Sequence, residues 1–115
     1  MKKSLSESQI NKKMSELSEW FFKNDSLKKT YVFNTFRDAM SFIVRISYEA
    51  EGLDHHPALF NCYNRVEISL NTHDVGNQVT QKDFDLAKAI DSVAWKSKNF
   101  PLATIDSSMG LTQWT

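Results

Sequence analysis

The chain has 115 residues, of which 41% are hydrophobic and 24% charged, so it is long enough for one domain with its own hydrophobic core. Its 14 basic residues balance 14 acidic ones, which excludes a strongly basic protein that binds nucleic acid through bulk charge. The single cysteine, Cys62, excludes a disulfide framework, and no apolar run is long enough to span a membrane.

The first third of the chain is predicted to form a short helix and a hairpin. Ser6 is a candidate N-cap for an amphipathic helix over 6–17, where apolar residues recur every three or four positions. Two strands are expected near 19–23 and 27–33, because turn-forming residues at 24–26 separate two segments rich in aromatic and β-branched side chains.

A long second helix is predicted next, capped by Asn34 or Thr35. It should end before His55-His56-Pro57, because a residue that precedes proline disfavours helical geometry. Its expected core face consists of Phe36, Met40, Ile43, Ile46 and Ala50, with Ala39 and Phe42 beside it. Val44 and Tyr48 form a second stripe, which is either a contact with another subunit or a pair of scattered surface residues.

Two further strands are predicted after the proline. The first is a short strand from Leu59 to Tyr63. The second begins near Asn64 and alternates in polarity, so that its even-numbered residues face the core and His73 closes it on the polar face. A loop over 74–79 should follow.

The last predicted helix begins at Thr80 and runs to about Lys98. Asp83 lies on the same face as the apolar residues, so its carboxylate is expected to point inward at the helix N-terminus. The apolar residues of that face are Leu86, Ala87, Ile90, Val93 and Ala94.

These elements predict an α+β fold in the order α-β-β-α-β-β-α. Two hairpins favour a four-stranded antiparallel sheet, with the three helices packed on one face. We expect one domain over 1–98 and a C-terminal tail over 99–115, part of which can dock on the domain through its apolar side chains. Polar residues follow the basic start where a secretory signal would be apolar, so a cytoplasmic location is expected.

The three histidines, His55, His56 and His73, are the first candidates for chemistry. Histidine is the side chain that most readily gives and takes protons near neutral pH, and here it occurs in a loop and at a strand end. Spacing alone favours the simpler interpretation, in which the adjacent pair caps helix carbonyls and the third histidine is solvated.

The run Glu51-Gly52-Leu53-Asp54-His55-His56-Pro57 resembles the signature of the pterin-4a-carbinolamine dehydratases. The remaining elements of that signature, an aromatic residue, a histidine and an aspartate, are matched by Tyr63, His73 and Asp83. The resemblance covers roughly 5–97. Leu59 stands where the family usually has tryptophan, which changes one wall of the expected pocket.

This resemblance implies an enzyme that removes water from a 4a-hydroxy-tetrahydropterin to give the quinonoid dihydropterin, in the recycling of the pterin cofactor of aromatic amino acid hydroxylases. It implies general acid–base catalysis without a metal or a redox cofactor. The implied partner is a small pterin substrate, with no direct contact to nucleic acid or membrane, in a homo-oligomer (a dimer or a tetramer).

The resemblance also implies roles for individual residues. His55 and His73 would be the principal acid–base pair, and His56 would protonate or position the 4a-hydroxyl. Asp83 would orient a histidine, although helix capping alone is an equally good interpretation. Glu51 and Asp54 could accept hydrogen bonds from the pterin, with a merely solvated Glu51 as the alternative. Tyr63 is expected to serve packing rather than chemistry.

Two other functions remain open at this point. Members of the family also act as dimerisation cofactors of a homeodomain transcription factor through helix surfaces, for which Val44 with Tyr48, or Phe84 with Trp95, are candidates here. A three-histidine zinc site is disfavoured, because adjacent residues such as His55 and His56 rarely direct both rings at one ion.

Overall fold

The computed structural model describes residues 4–96 and the backbone of 103–105. Within these ranges the helices are α1 (Glu7–Met14), α2 (Phe36–Leu53) and α3 (Gln81–Lys96). The strands are β1 (Phe21–Lys23), β2 (Ser26–Val32), β3 (Ala58–Cys62), β4 (Arg65–Leu70) and β5 (Ala103–Ile105). The predicted α+β class and the order α-β-β-α-β-β-α are confirmed, and β5 is an addition to them. None of the helices described is long and apolar enough to cross a bilayer.

The sheet is antiparallel throughout, with the strand order β1-β2-β4-β3. One edge of β2 pairs with β4, and the other edge is shared: Ser26–Lys28 pairs with β1 and Thr30–Val32 with β5. Strand β5 lies in the segment predicted to be a tail. Three residues of that segment therefore extend the sheet along the edge that β1 leaves uncovered.

Helix α1 is shorter than the predicted 6–17. Ser6 and Gln9 form a reciprocal capping box at its start, as the sequence of the first turn favours. At its end the hydroxyl of Ser15 donates to the carbonyl of Lys12, and the following N–H groups bond three residues back instead of four. The last turn is therefore tightened, and the helix ends at Met14.

Helix α2 begins with the N-cap Thr35 and ends in a Schellman motif. Asp54 adopts the left-handed conformation with φ 50°, while its N–H donates to Glu51 and the N–H of His55 donates to Ala50. The helix therefore ends before the His-His-Pro run, as predicted. The motif also reverses the chain direction, which sends His55 back toward the body of the protein.

The core lies between one face of the sheet and the helices. The strands contribute Leu27, Tyr31, Val66, Ile68 and Leu70, α2 contributes Ala39, Phe42, Ile46 and Ala50, and α3 contributes Phe84, Leu86, Ala87, Ile90 and Ala94. The predicted alternation of β4 is thus confirmed. On α2 the predicted core face is confirmed at Ile46 and Ala50, whereas Phe36, which was also assigned to that face, is 49% exposed.

The structure treats differently the two residue pairs that were candidates for a contact surface. Val44 and Tyr48 on α2 are 55% and 75% exposed, so this stripe is not buried by the part of the chain that the structure describes. Phe84 is 1% exposed and belongs to the core, so its assignment to an outer contact surface was wrong. Its predicted companion, the side chain of Trp95, lies outside the described part of the chain.

A buried charged cluster lies in the core between β2 and α3. Lys29 lies on the core-facing side of β2 and is 3% exposed, with its Nζ 2.9 Å from Asp91 Oδ1 and 2.9 Å from the carbonyl of Ser18. The indole of Trp20 and the hydroxyl of Tyr31 also donate to Asp91, and Nζ lies 4.8 Å from the centre of the Tyr31 ring. The buried ammonium is therefore paired and hydrogen-bonded, as burial requires.

Burial, followed by the negative charge and the hydrogen bond of Asp91, raises the pKa of the Tyr31 phenol well above its ordinary value of 10.0. The native state therefore keeps this phenol neutral where the unfolded chain ionises it. The contribution to stability is complete below pH 10 and decreases as the pH rises further.

In denaturant melts from pH 9 to 12, Tyr31→Phe should make the fall of the unfolding free energy shallower by up to about 1.4 kcal/mol per pH unit. Identical slopes in the two proteins would contradict this expectation.

Candidate active site

A cavity of about 460 Å³ opens where the end of α2 meets the end of β4. Its walls are formed by residues 54–58 and 71–74, together with Ser69 and Asn77. All three histidines are among them. The chain therefore brings His55 and His56 from one segment and His73 from another to a single concave site, of a size typical for small-molecule ligands.

His55 is the buried histidine of this site. Its ring nitrogen Nε2 lies 2.6 Å from Oδ1 of Asp83, and the two side chains are 7% and 0% exposed. A carboxylate can only accept, so Nε2 carries the hydrogen and donates it. In the neutral ring the other nitrogen, Nδ1, is then the proton acceptor, and the ring orientation is held by a short, charge-assisted bond.

Asp83 also organises the elements around the histidine. Its Oδ2 accepts 2.9 Å bonds from the hydroxyl of Thr72 and from the backbone N–H of Thr80. The Thr80 bond caps α3, while the Oδ1 bond reaches His55. The two roles predicted for Asp83, capping the helix and contacting a histidine, therefore both occur, because its two carboxylate oxygens face different partners.

His56 has a different environment, on the exposed rim. Its Nε2 donates to Oε1 of Glu51 at 2.6 Å, and the two side chains are 62% and 77% exposed. The pair connects the last turn of α2 with the loop that follows it. Solvent screens an exposed pair, so the His56–Glu51 contact orients the imidazole ring but contributes little to the stability of the fold.

His73 is also exposed, and it begins a 3₁₀ turn over His73–Val75. Its Nδ1 donates to Oδ1 of Asn77 at 3.2 Å. The prediction that His73 closes β4 was wrong, since the strand ends at Leu70. The chain turns there because Thr72 pairs with Gln78, and the left-handed backbone of Gly76 and its neighbour closes the loop.

The two carboxylates expected to contact substrate are placed differently. Asp54 lines the cavity, at the left-handed residue that ends α2. Glu51 is not among the lining residues, and its carboxylate is bound by His56. Lys82 approaches from α3, with its Nζ 3.4 Å from the carbonyl oxygens of Leu53 and Asp54.

Several polar residues that sequence reasoning did not assign to the site also line it. They are Ser69, Asn71, Thr72, Asp74 and Asn77. For Ser69 and Asn71 a signal was present, because both lie on the polar face of the alternating strand that leads to His73. Two residues of the sequence signature lie elsewhere: Leu59 borders a neighbouring cavity, and Tyr63 is 57% exposed at the β3–β4 turn instead of packed.

The arrangement offers proton donors and acceptors around a cavity with mixed polar and apolar walls. One imidazole is buried and held by a carboxylate, and two are exposed and held by polar partners. Within the described residues, no group of three or more His, Cys, Asp or Glu side chains could hold a metal ion. The site is therefore suited to moving protons on a bound small molecule.

Comparison with known proteins gives one consistent result. The family model described as "Pterin 4 alpha carbinolamine dehydratase" matches residues 3–93. A protein of Opitutus terrae named "Putative pterin-4-alpha-carbinolamine dehydratase" is 46% identical over 91 residues, which cover 79% of this chain and 94% of that protein. A relative in Sulfolobus acidocaldarius with the same name is 42% identical over 89 residues, covering 77% and 97% of the two chains.

A solved structure agrees with the sequence relatives. The crystal structure of "transcriptional coactivator/pterin dehydratase" from Brucella melitensis matches with a TM-score of 0.76 and 34% identity. The match covers 80% of this chain and 99% of that one. With the match of the family model to residues 3–93, these similarities show that the chain belongs to the pterin-4-alpha-carbinolamine dehydratase family.

Proposed function

We propose that this protein is a dehydratase that removes water from a 4a-hydroxy-tetrahydropterin to give the quinonoid dihydropterin, in cytoplasmic pterin recycling. The observation that carries the proposal is the convergence of His55, His56 and His73 on one cavity. Membership of the family supports the substrate class.

The reaction explains why imidazoles are suitable. Hydroxide is a poor leaving group, so an acid must protonate the 4a-oxygen while the C4a–O bond breaks and water departs. The electron pair of the neighbouring ring nitrogen stabilises the cation that develops. A base then removes a ring N–H proton, which leaves the neutral quinonoid product. Each positioned proton transfer typically contributes 10²–10⁴-fold.

His55 and His73 are the proposed acid–base pair. The contact of His55 with Asp83 fixes which nitrogen of this ring accepts a proton, and the contact of His73 with Asn77 does the same for the second ring. His56 is proposed to protonate or position the departing hydroxyl from the exposed rim. Asp54 accepts hydrogen bonds from the pterin at the cavity wall, whereas Glu51 acts through its bond to His56.

Asp83 is proposed as a positioning residue. It has no exposed surface, so it does not meet the substrate, and it acts by holding the ring of His55. It simultaneously ties that ring to Thr72, the residue before His73. One carboxylate thereby links the two chain segments that supply the catalytic histidines.

A second proposal concerns the exposed stripe of Val44 and Tyr48 on α2. We infer that it joins copies of this chain in a homo-oligomer, a dimer or a tetramer, because exposed apolar side chains in one stripe favour burial against another surface. The alternative occupant is a different protein, as in the coactivator function implied by the resemblance. The Brucella melitensis protein is named as a transcriptional coactivator as well as a pterin dehydratase.

The catalytic assignment predicts the effect of removing each ring. His55→Ala and His73→Ala should each lower kcat by at least about 100-fold, since each removes one positioned proton transfer. Stopped-flow decay of the 4a-carbinolamine, corrected for the spontaneous reaction, measures this. Circular dichroism and melts confirm that the variants are folded. Turnover near that of the unaltered protein in both single variants would reject the assignment.

The positioning role of Asp83 predicts two separate effects. Asp83→Ala leaves three buried partners without their acceptor and should cost about 2–4 kcal/mol of stability, whereas Asp85→Ala on the exposed side of the same helix should change stability by less than about 0.5 kcal/mol. Asp83→Asn, which preserves size, should lower kcat roughly 10- to 100-fold with little change in KM, because the amide no longer fixes the ring. A fully folded Asp83→Asn protein with unchanged kcat would limit Asp83 to a structural role.

Self-association is tested by light scattering after size-exclusion chromatography. The protein should elute as a dimer or tetramer, and Tyr48→Glu should lower its mass at equal concentration, because a charge replaces an apolar contact. The matched variant Tyr48→Phe should keep the mass. A monomeric starting protein would contradict self-association and favour a different partner for the stripe.

A further inference from the structure

One edge of β2 carries a strand that lies outside the domain shared with the family. Strand β5 pairs with residues 30–32, whereas the match to the family model ends at residue 93. The two relatives are matched over almost their whole length, so β5 is an addition of this chain. Strand β5 therefore serves something other than completing the shared fold.

The backbone groups of β2 alternate in direction, which decides which of them β5 binds. The N–H of Phe33 donates to the carbonyl of Asn64 at 2.8 Å, and the carbonyl of Phe33 accepts a 2.8 Å bond from the Asn64 side chain. Asn64 directly precedes β4, so both groups of Phe33 point toward β4. In an antiparallel ladder successive residues direct their N–H and C=O groups to opposite sides. The groups of Tyr31 therefore also point toward β4, and those of Thr30 and Val32 point toward β5.

The register of β5 matches these groups. Thr30 is opposite Ile105 and Val32 is opposite Ala103, so these are the two pairs that exchange backbone hydrogen bonds. Strand β5 thereby binds two N–H and two C=O groups of the edge.

Without β5, the edge of β2 would be unprotected over residues 29–33. Strand β1 covers it only as far as Lys28. Residues 30–33 are threonine, tyrosine, valine and phenylalanine, which favour strands. A charged side chain often protects an exposed edge, but Lys29 is 3% exposed and is bound in the core by Asp91. This stretch would thus be a template for pairing with another strand.

The edge is complementary to itself. Both strands that it carries are antiparallel to β2, and a two-fold axis brings two copies of β2 together in the same antiparallel sense. With the axis at Tyr31, Thr30 of each copy is opposite Val32 of the other. The four backbone groups that β5 binds would then all be bound by the second copy.

We infer that residues 30–32 form a self-association edge that β5 blocks, so that the segment after α3 controls whether two copies of this chain can join their sheets. The partner is a second copy, paired β2 to β2 about a two-fold axis at Tyr31. The edge is separate from the stripe of Val44 and Tyr48 on α2, and the inference does not depend on the dehydratase function. Because β5 and the second copy compete for the same groups, association is weakened in proportion to the fraction of molecules in which β5 is open.

The test opens the edge in the full chain. Ala103→Pro combined with Ile105→Pro removes both N–H groups that β5 donates to β2. Thr104→Pro is the matched control, because its N–H points away from β2 and an edge strand tolerates proline there. All variants are made in a Tyr48→Glu parent, so that association through α2 does not contribute to the mass.

Light scattering over a concentration series measures association, and residue-resolved hydrogen exchange measures the state of the edge. In the dilute double variant the amides of Thr30 and Val32 should exchange at least about tenfold faster than in the parent, while the amide of Tyr31 keeps its rate. The concentration at which the mass doubles should fall at least about tenfold, as expected if β5 is open in less than about a tenth of the parent molecules. At that concentration Thr30 and Val32 should be protected again.

Every outcome bears on the proposal. Faster exchange at Thr30 and Val32 without a rise in mass would overturn the second copy as the partner. A rise in mass while both amides stay exposed would also overturn it, since the copies would then meet elsewhere. Unchanged exchange in the double variant would show that β5 does not shield the edge.

Two comparisons complete the test. Thr104→Pro should keep the mass and the exchange rates of the parent, and a response equal to that of the double variant would contradict the assigned register. If circular dichroism shows that the double variant does not fold, Ile105→Pro alone removes one donor. It should then raise the exchange of Thr30 and the mass in the same direction, and parental values in this variant would overturn the proposal.

Discussion

The architecture around the cavity depends on one buried carboxylate. Asp83 meets His55 with one oxygen and Thr72 and Thr80 with the other, so a single side chain joins the end of α2, the end of β4 and the start of α3. A carboxylate without exposed surface is tolerated only when its charge is compensated by such bonds. The requirement to satisfy this group therefore also fixes the relative positions of the segments that carry the histidines.

Local rules were sufficient where each residue's environment follows from its neighbours. The alternation of β4 identified its buried side chains, and the proline at 57 marked the end of α2. The inward direction of Asp83 followed from its place on the apolar face of α3. In each case the local structure follows from the periodicity of a strand or helix, or from the steric clash before a proline. No distant contact competes with these local effects.

Long-range contacts determine the features of the structure that local sequence patterns did not predict. Lys29 is buried because Asp91, 62 residues away, is positioned to pair with it, and no local pattern predicts that partner. The turn at His73 depends on the pairing of Thr72 with Gln78, and β5 depends on a vacant stretch of β2. Similarly, the polar face of β4 was evident, but only the neighbouring strands and loop make Ser69 part of a cavity wall.

The left-handed backbone at Asp54 has a consequence for protein engineering. Glycine adopts this conformation freely, whereas a residue with a Cβ is strained in it, so replacement of Asp54 by glycine would relieve the strain. That replacement would also delete a negative charge from the cavity mouth. A design that considers backbone conformation alone would therefore remove the carboxylate that Asp54 contributes to the cavity wall, which is the group proposed to contact the pterin.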